Sequence, residues 1–152
     1  MTNLSDFYKT LTKQAVALIE GESDLIANMS NISALLAMEL EEINWVGFYL
    51  LKDGELVLGP FQGKPACVRI PVGRGVCGTA VSEQRIQRVE DVHQFAGHIA
   101  CDAQSNSEIV LPLFVKGELI GVLDIDSPKL SRFNQSDEDG LATLLEEIQK
   151  RL

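Results

Sequence analysis

Three cysteines and three acids carry most of the reactive chemistry in this chain: Cys67, Cys77 and Cys101, with Glu108, Asp124 and Asp126. The acids stand in an otherwise apolar stretch. Residues 107–115 (SEIVLPLFV) and 119–125 (LIGVLDI) are apolar and β-branched, and Lys116-Gly117-Glu118 between them supplies turn chemistry, which predicts one β-hairpin. Strand side chains alternate between faces, so Asp124 and Asp126 share a face with Ile120 and Val122, and Glu108 shares one with Val110. An unpaired charge is costly to bury in such a sheet. Two carboxylates this close repel and push up one pKa unless a cation or a shared proton settles them, and a bound ammonium group would do so. The plainer alternative is a strand end emerging into solvent, which the following Ser127-Pro128 turn suits. Trp45 and Tyr49 lie on one face of an earlier strand, where they are core by default and could equally wall a pocket.

The cysteines differ in setting. None belongs to a Cys-x-x-Cys pair, and a zinc site built from all three with His93 or His98 would have a spacing unlike any common pattern, so no metal is expected. Cys67, in a predicted strand, and Cys77, in a glycine-rich helix start, suit packing as small hydrophobes. Cys101 sits in a polar loop, where access permits reaction and packing gives little reason for a thiol. One further motif, Gly73-Arg74-Gly75-Val76-Cys77-Gly78, fits G-x-G-x-x-G with Asp91 at a distance suited to a ribose-binding acid. The strand before it carries Arg69 and Pro71, however, and the helix after it is too short for a dinucleotide-binding crossover. Its glycines read as turn formers.

The elements that must position these residues follow from periodicity. Residues 3–20 and 23–42 carry apolar side chains at helical spacing, with Ser5 or Asn3 as a cap for the first helix and Ser30-Asn31 as a candidate break in the second. Residues 44–51 read as a strand with Trp45, Gly47 and Tyr49 on one face and Val46, Phe48 and Leu50 on the other. Asp53-Gly54 turns it into a second strand over 55–61, which Pro60 ends or marks as an edge. A third strand is predicted over 66–72, a short helix over 75–82, a short strand over 86–89 and a polar loop over 90–106. Ser136, with Asp139 three residues on, predicts the start of a last helix that buries Leu141, Leu144, Leu145 and Ile148. Two helices followed by hairpin-linked strands indicate an α+β domain on one antiparallel sheet, flanked by the N-terminal helices and a C-terminal helix.

Composition narrows the function classes. The 152 residues suit a single domain over 1–152, and 45% hydrophobic with 23% charged residues is ordinary for a folded protein. A formal charge of −9 argues against nucleic acid and anionic membrane partners. No apolar run nears the roughly 20 residues of a membrane span, and MTNLSDFYK lacks a signal-peptide layout. A cytoplasmic setting is expected, in which the thiols rest reduced and a disulfide would be transient and catalytic.

Over nearly its whole length, and most of all in PVGRGVCGTAV and SEIVLPLFVKGELIGVLDIDS, the chain resembles the GAF domain family. The three cysteines and the Asp-Ile-Asp ending resemble more narrowly the free methionine-(R)-sulfoxide reductases, stand-alone GAF enzymes that act on the free amino acid. That resemblance implies Cys101 as the nucleophile on the sulfoxide sulfur, forming a sulfenic acid that Cys67 resolves as a disulfide, which needs a Cα separation of roughly 4.4–6.8 Å in at least one loop conformation. Thioredoxin would reduce the disulfide, with NADPH supplied through thioredoxin reductase and no bound cofactor. Glu108 and Asp126 would bind and protonate the departing oxygen, Asp124 would hold the substrate ammonium, and Trp45, with Tyr49, would pack on the methyl and sulfur end. Cys77 stays open as an alternative resolving thiol, a relay or a packing residue. Preference for the R epimer comes from the resemblance alone. A non-catalytic GAF sensor of a small ligand and a Cys67–Cys101 redox switch are the rival readings. The amphipathic N-terminal helices could also pair across a two-fold axis as a homodimer, and the 90–106 loop is long enough to act as a lid.

Overall fold

The computed structural model describes residues 3–97 and 104–152. Helix α1 (Leu4–Ile19) starts where the Asn3 side chain accepts from the Asp6 amide at 2.8 Å, so Asn3 and not Ser5 is the cap. Helix α2 (Leu25–Glu39) runs through Ser30-Asn31 without the expected break. Ser30 and Ser33 donate their hydroxyls to the carbonyls of Ile26 and Met29, four residues back, at 2.8 Å each, so these polar side chains are satisfied within the helix.

Strands β1 (Trp45–Lys52), β2 (Glu55–Gly63), β3 (Arg69–Pro71), β4 (Gln87–Val89), β5 (Ser107–Val115) and β6 (Glu118–Ser127) form, among the described residues, a six-stranded sheet in the order β3-β2-β1-β6-β5-β4. Every pairing in it is antiparallel. The predicted hairpin, β5–β6, lies in its interior. Both faces of the sheet are covered, which explains why residues 107–115 read as a nearly continuous apolar run. One face meets α1, α2 and helix α4 (Gln135–Gln149) through Val46, Phe48, Ile109, Leu111, Leu113, Leu123 and Ile125. The other meets helix α3 (Gly75–Glu83) through Trp45, Tyr49, Val110, Val122 and Val76.

Four expectations need correction. β3 is shorter than 66–72 and leaves Cys67 outside the ladder, because the Tyr49 hydroxyl, not a strand neighbour, donates to the Cys67 carbonyl at 2.9 Å. The polar loop contains a turn of 3₁₀ helix at Val92–Gln94, capped by the Asp91 side chain, so Asp91 serves as a cap. Ile120 does not share a face with Asp124. The β5–β6 register shifts between Leu113 and Phe114, and this bulge sends Ile120 to the face packed on α1, α2 and α4 and Leu119 to the face under α3. Finally, α4 is capped by Asn134 and Asp137, not Ser136 and Asp139: Asn134 accepts from the Asp137 amide at 2.9 Å, and Asp137 accepts from the Asn134 amide at 3.0 Å. Asp137 also accepts from the Tyr8 hydroxyl at 2.7 Å and pairs with Arg132 at 3.4 Å, so the position that starts α4 is the one that ties it to α1.

Candidate functional site

The sheet face under α3 carries a pocket lined by Trp45, Tyr49, Cys77, Glu108, Asp124 and Asp126, together with Pro65, Ala66, Ile70, Ser105 and the first residues of α3, Arg74 to Val76. Six of the eight predicted site residues are therefore brought together. Strand register explains how. Glu108 on β5 stands directly opposite Asp126 on β6, and Val110 stands opposite Asp124. Across the other edge of β6, Trp45 pairs with Asp126 and Gly47 with Asp124. Gly47 has to be glycine, since a Cβ there would run into Phe61 of the neighbouring strand β2, which packs against the β1 backbone at this point.

The aromatic wall is ordered by stacking. Trp45 lies 5.9 Å from Tyr49 and 5.2 Å from Phe61 between ring centroids, at interplanar angles of 24° and 15°. Its indole N–H donates to the Lys64 carbonyl at 3.1 Å, so the ring is fixed where it lines the pocket.

Beside the aromatics, on the same sheet face, the groups are acidic and buried. Glu108 and Asp124 are buried, at 7% and 5% exposure, and Cys77 is buried on α3. One ligand-type atom from each of Cys77, Glu108 and Asp124 lies within 4.8 Å of the others, and Cys77 Sγ is 4.0 Å from Glu108 Oε2. Burial first, and then the charges of Asp124 and Asp126, push the Glu108 carboxyl well above its usual range. Burial and the same carboxylates push the Cys77 thiol up. Asp124 is raised by burial too, though hydrogen bonds from Glu108, Cys77 and Asp126 act to lower it. Protons therefore concentrate on Glu108 and Cys77. Asp124 Oδ1 is buried without a hydrogen-bond partner. The thiol and two carboxyls could ligate an ion, a different set from the three cysteines and a histidine weighed from the sequence. His93 is turned elsewhere, with Nε2 at 2.9 Å from Asn106 Oδ1.

Cys67 follows directly on Ala66, which lines the pocket, and packs beside the same apolar cluster. Cys101 and His98, with the 98–103 part of the expected 90–106 lid, lie outside the described residues. Sequence reasoning missed Arg74, Pro65, Ala66, Ile70 and Ser105 as lining residues. For Arg74 a signal existed, since it lies inside the glycine motif that was read as a turn.

Comparison with known proteins agrees with this architecture. The chain matches the GAF domain family over residues 27–149. It is 61% identical over 150 residues to the free methionine-R-sulfoxide reductase of Escherichia coli (strain K12), covering 99% of this chain and 91% of that protein. The structure of fRMsr of Staphylococcus aureus in its reduced form superposes with a TM-score of 0.93 at 61% identity, covering 95% of this chain and 94% of that one. The free methionine-R-sulfoxide reductase of Neisseria meningitidis in complex with its substrate gives a TM-score of 0.93 at 42% identity, covering 99% and 91%. The carboxyl-rich pocket beneath α3 is thus set in a chain that belongs to the GAF domain family, among its free methionine-R-sulfoxide reductases.

Proposed function

We propose that the protein reduces free L-methionine-(R)-sulfoxide to methionine in this pocket. The observation that carries the reading is the buried, unpartnered Oδ1 of Asp124 in a pocket that the fixed Trp45 ring also lines. A free amino acid answers both features. Its ammonium supplies the missing donor, and its methyl and sulfur end lies against the indole, with Tyr49 behind it. The protons held by Cys77 and Glu108 favour an ammonium over a metal ion at Asp124, since an ion would require those protons to leave.

In this mechanism the Cys101 thiolate attacks the sulfoxide sulfur. The oxygen passes to sulfur of Cys101 as the sulfenic acid while methionine departs, and Glu108, kept neutral by its surroundings, with Asp126 opposite, holds and protonates the oxygen. The Cys67 thiol then attacks the sulfenic sulfur, and water leaves as the disulfide forms. Thioredoxin returns both thiols to the reduced state in the cytoplasm, drawing on NADPH through its reductase. Cys77 acts as a protonated thiol beside Glu108 and not as the resolving one, since burial disfavours its thiolate.

The test follows NADPH consumption by thioredoxin reductase and thioredoxin with separate R and S epimers, repeated on Cys101→Ser. Turnover of the R epimer alone, lost in the variant, supports the reading. Absence of turnover from folded, fully reduced protein would overturn it in favour of a ligand-sensing GAF module.

A further inference from the structure

Trp45 and Tyr49 line the pocket, yet the polar tip of each is engaged elsewhere. The Trp45 indole N–H donates to the Lys64 carbonyl at 3.1 Å, and the Tyr49 hydroxyl donates to the Cys67 carbonyl at 2.9 Å. Both acceptors lie in residues 64–68, the segment between β2 and β3 that carries Cys67. The sheet ladder does not hold Cys67 itself. Beyond it, the Val68 carbonyl accepts from the Leu58 amide of β2 at 2.9 Å. The two aromatic side chains therefore tie down the backbone that leads into and through Cys67.

Packing alone asks for no hydroxyl at Tyr49, and a buried hydroxyl needs a partner. Tyr49 is buried and stacked on Trp45, so its hydroxyl has little freedom to turn from the Cys67 carbonyl. Burial, and then the charge of Asp124, pushes the phenol up, which keeps it a donor. Pro65 and Ala66 of the same segment line the pocket, and Cys67 packs on the apolar cluster that contains Tyr49. The anchored carbonyl and the thiol belong to one residue, so fixing the first limits the reach of the second.

We infer that Tyr49 is a positioning residue for the second half of the reaction: by holding the Cys67 carbonyl, its hydroxyl keeps the resolving thiol beside the pocket. This rests on the reading given under Proposed function, in which Cys67 resolves the sulfenic acid of Cys101. In that step the Cys67 sulfur bonds to the Cys101 sulfur and the S–O bond breaks. The oxygen leaves as water, with the thiol proton and its own, while the Cys67 sulfur is oxidised and the sulfenic sulfur reduced. A disulfide needs its Cβ atoms roughly 3.5–4.5 Å apart, so the step is sensitive to where the segment is held. Without the hydroxyl, the Cys67 carbonyl has to find water or another donor, and the segment shifts with it.

The test uses Tyr49→Phe, which keeps the ring and removes the hydroxyl alone. Reduced protein is mixed with an equivalent of L-methionine-(R)-sulfoxide without thioredoxin. Methionine release and disulfide formation are timed by quenched flow and mass spectrometry, with dimedone trapping the Cys101 sulfenic acid. Disulfide formation should slow about tenfold relative to methionine release, with a matching gain in dimedone adduct. Cys67→Ser, which stops at the sulfenic acid, sets the upper limit of that adduct. An unchanged ratio of the two rates, as a merely structural or substrate-packing role for Tyr49 predicts, would overturn the inference. A parallel arm replaces the sulfoxide with hydrogen peroxide, which oxidises the Cys101 thiolate to the sulfenic acid and departs as hydroxide. Slower disulfide formation by Tyr49→Phe in that arm, from a protein that releases no methionine from the sulfoxide, would overturn the reductase reading and sustain this one. Absence of a Cys67–Cys101 disulfide with either oxidant would overturn the inference.

Discussion

Asp124→Asn should make the ligand-free protein more stable while impairing its use of substrate. The carboxyl is 95% removed from solvent, as its exposure is 5%, and Oδ1 has no hydrogen-bond partner. Its neighbours are Glu108 and Asp126, and the cationic lining side chain, Arg74, is exposed. A buried polar group left unsatisfied costs about 1–3 kcal/mol, and more if charged. The substitution keeps the shape and removes the charge, so a gain of about 1–3 kcal/mol is expected at neutral pH. For a chain of this size each kcal/mol moves the melting temperature about 2–4 °C, which gives a rise of roughly 2–12 °C. The pH dependence gives the result its diagnostic value. Burial raises the folded-state pKa of Asp124 above the ordinary range of an aspartate. The folded wild type therefore holds this proton more tightly than the unfolded chain does. That stability is fully present below the unfolded pKa and is lost as pH rises through the folded one. The advantage of Asp124→Asn should accordingly be near zero at about pH 3.5 and open as pH rises. Differential scanning calorimetry of reduced, ligand-free protein across that range reads it directly. A lower melting temperature for the variant at neutral pH, or a gain equal at both ends of the range, would refute the claim that burial of this carboxyl outweighs the hydrogen bonds that it receives in the ligand-free protein.

Other substitutions test the frame around the pocket. Gly140→Ala lies within α4, where alanine ordinarily gains about 1 kcal/mol over glycine. Here a Cβ would sit 2.2 Å from Tyr8 Cγ, and the Tyr8 hydroxyl is held by Asp137. Overpacking should win, costing about 1–3 kcal/mol and lowering the urea midpoint. Asn134→Ala removes the α4 capping box and should cost about 1–2 kcal/mol, whereas Ser136→Ala should stay within about 0.5; the reverse order in chemical denaturation would restore Ser136 as the cap. Cys77 in the native protein should react with iodoacetamide on the order of 100-fold more slowly than an exposed thiol, as read by mass spectrometry. Cys77→Ala should keep thioredoxin-coupled turnover, and its loss would return the resolving role to Cys77.

Much of this site was legible because strand geometry is local. The pleat places residues two apart on one face whatever the rest of the fold does. Trp45 with Tyr49, Asp124 with Asp126 and Glu108 with Val110 could therefore be grouped from alternation alone. The 107–127 hairpin was readable for the same reason, its turn chemistry lying between two apolar runs. Parity held only up to the bulge near Leu113, and Ile120 beyond it went to the opposite face.

What the tertiary structure decided was which groups meet across long separations in the chain. Cys67 left the ladder because the Tyr49 hydroxyl claims its carbonyl from 18 residues away. The α4 start moved to Asn134 because Asp137 is anchored by Tyr8, 129 residues earlier. Arg74 gained its place at the pocket when α3 packed its first turn over the acids of β5 and β6. The amino-acid sequence by itself determined the periodicities, the turn chemistry and the stock of reactive side chains, since these depend on neighbours a few residues apart. Caps, bulges and pocket partners are choices among several local options of similar energy, and only the packing of distant segments makes one of them win.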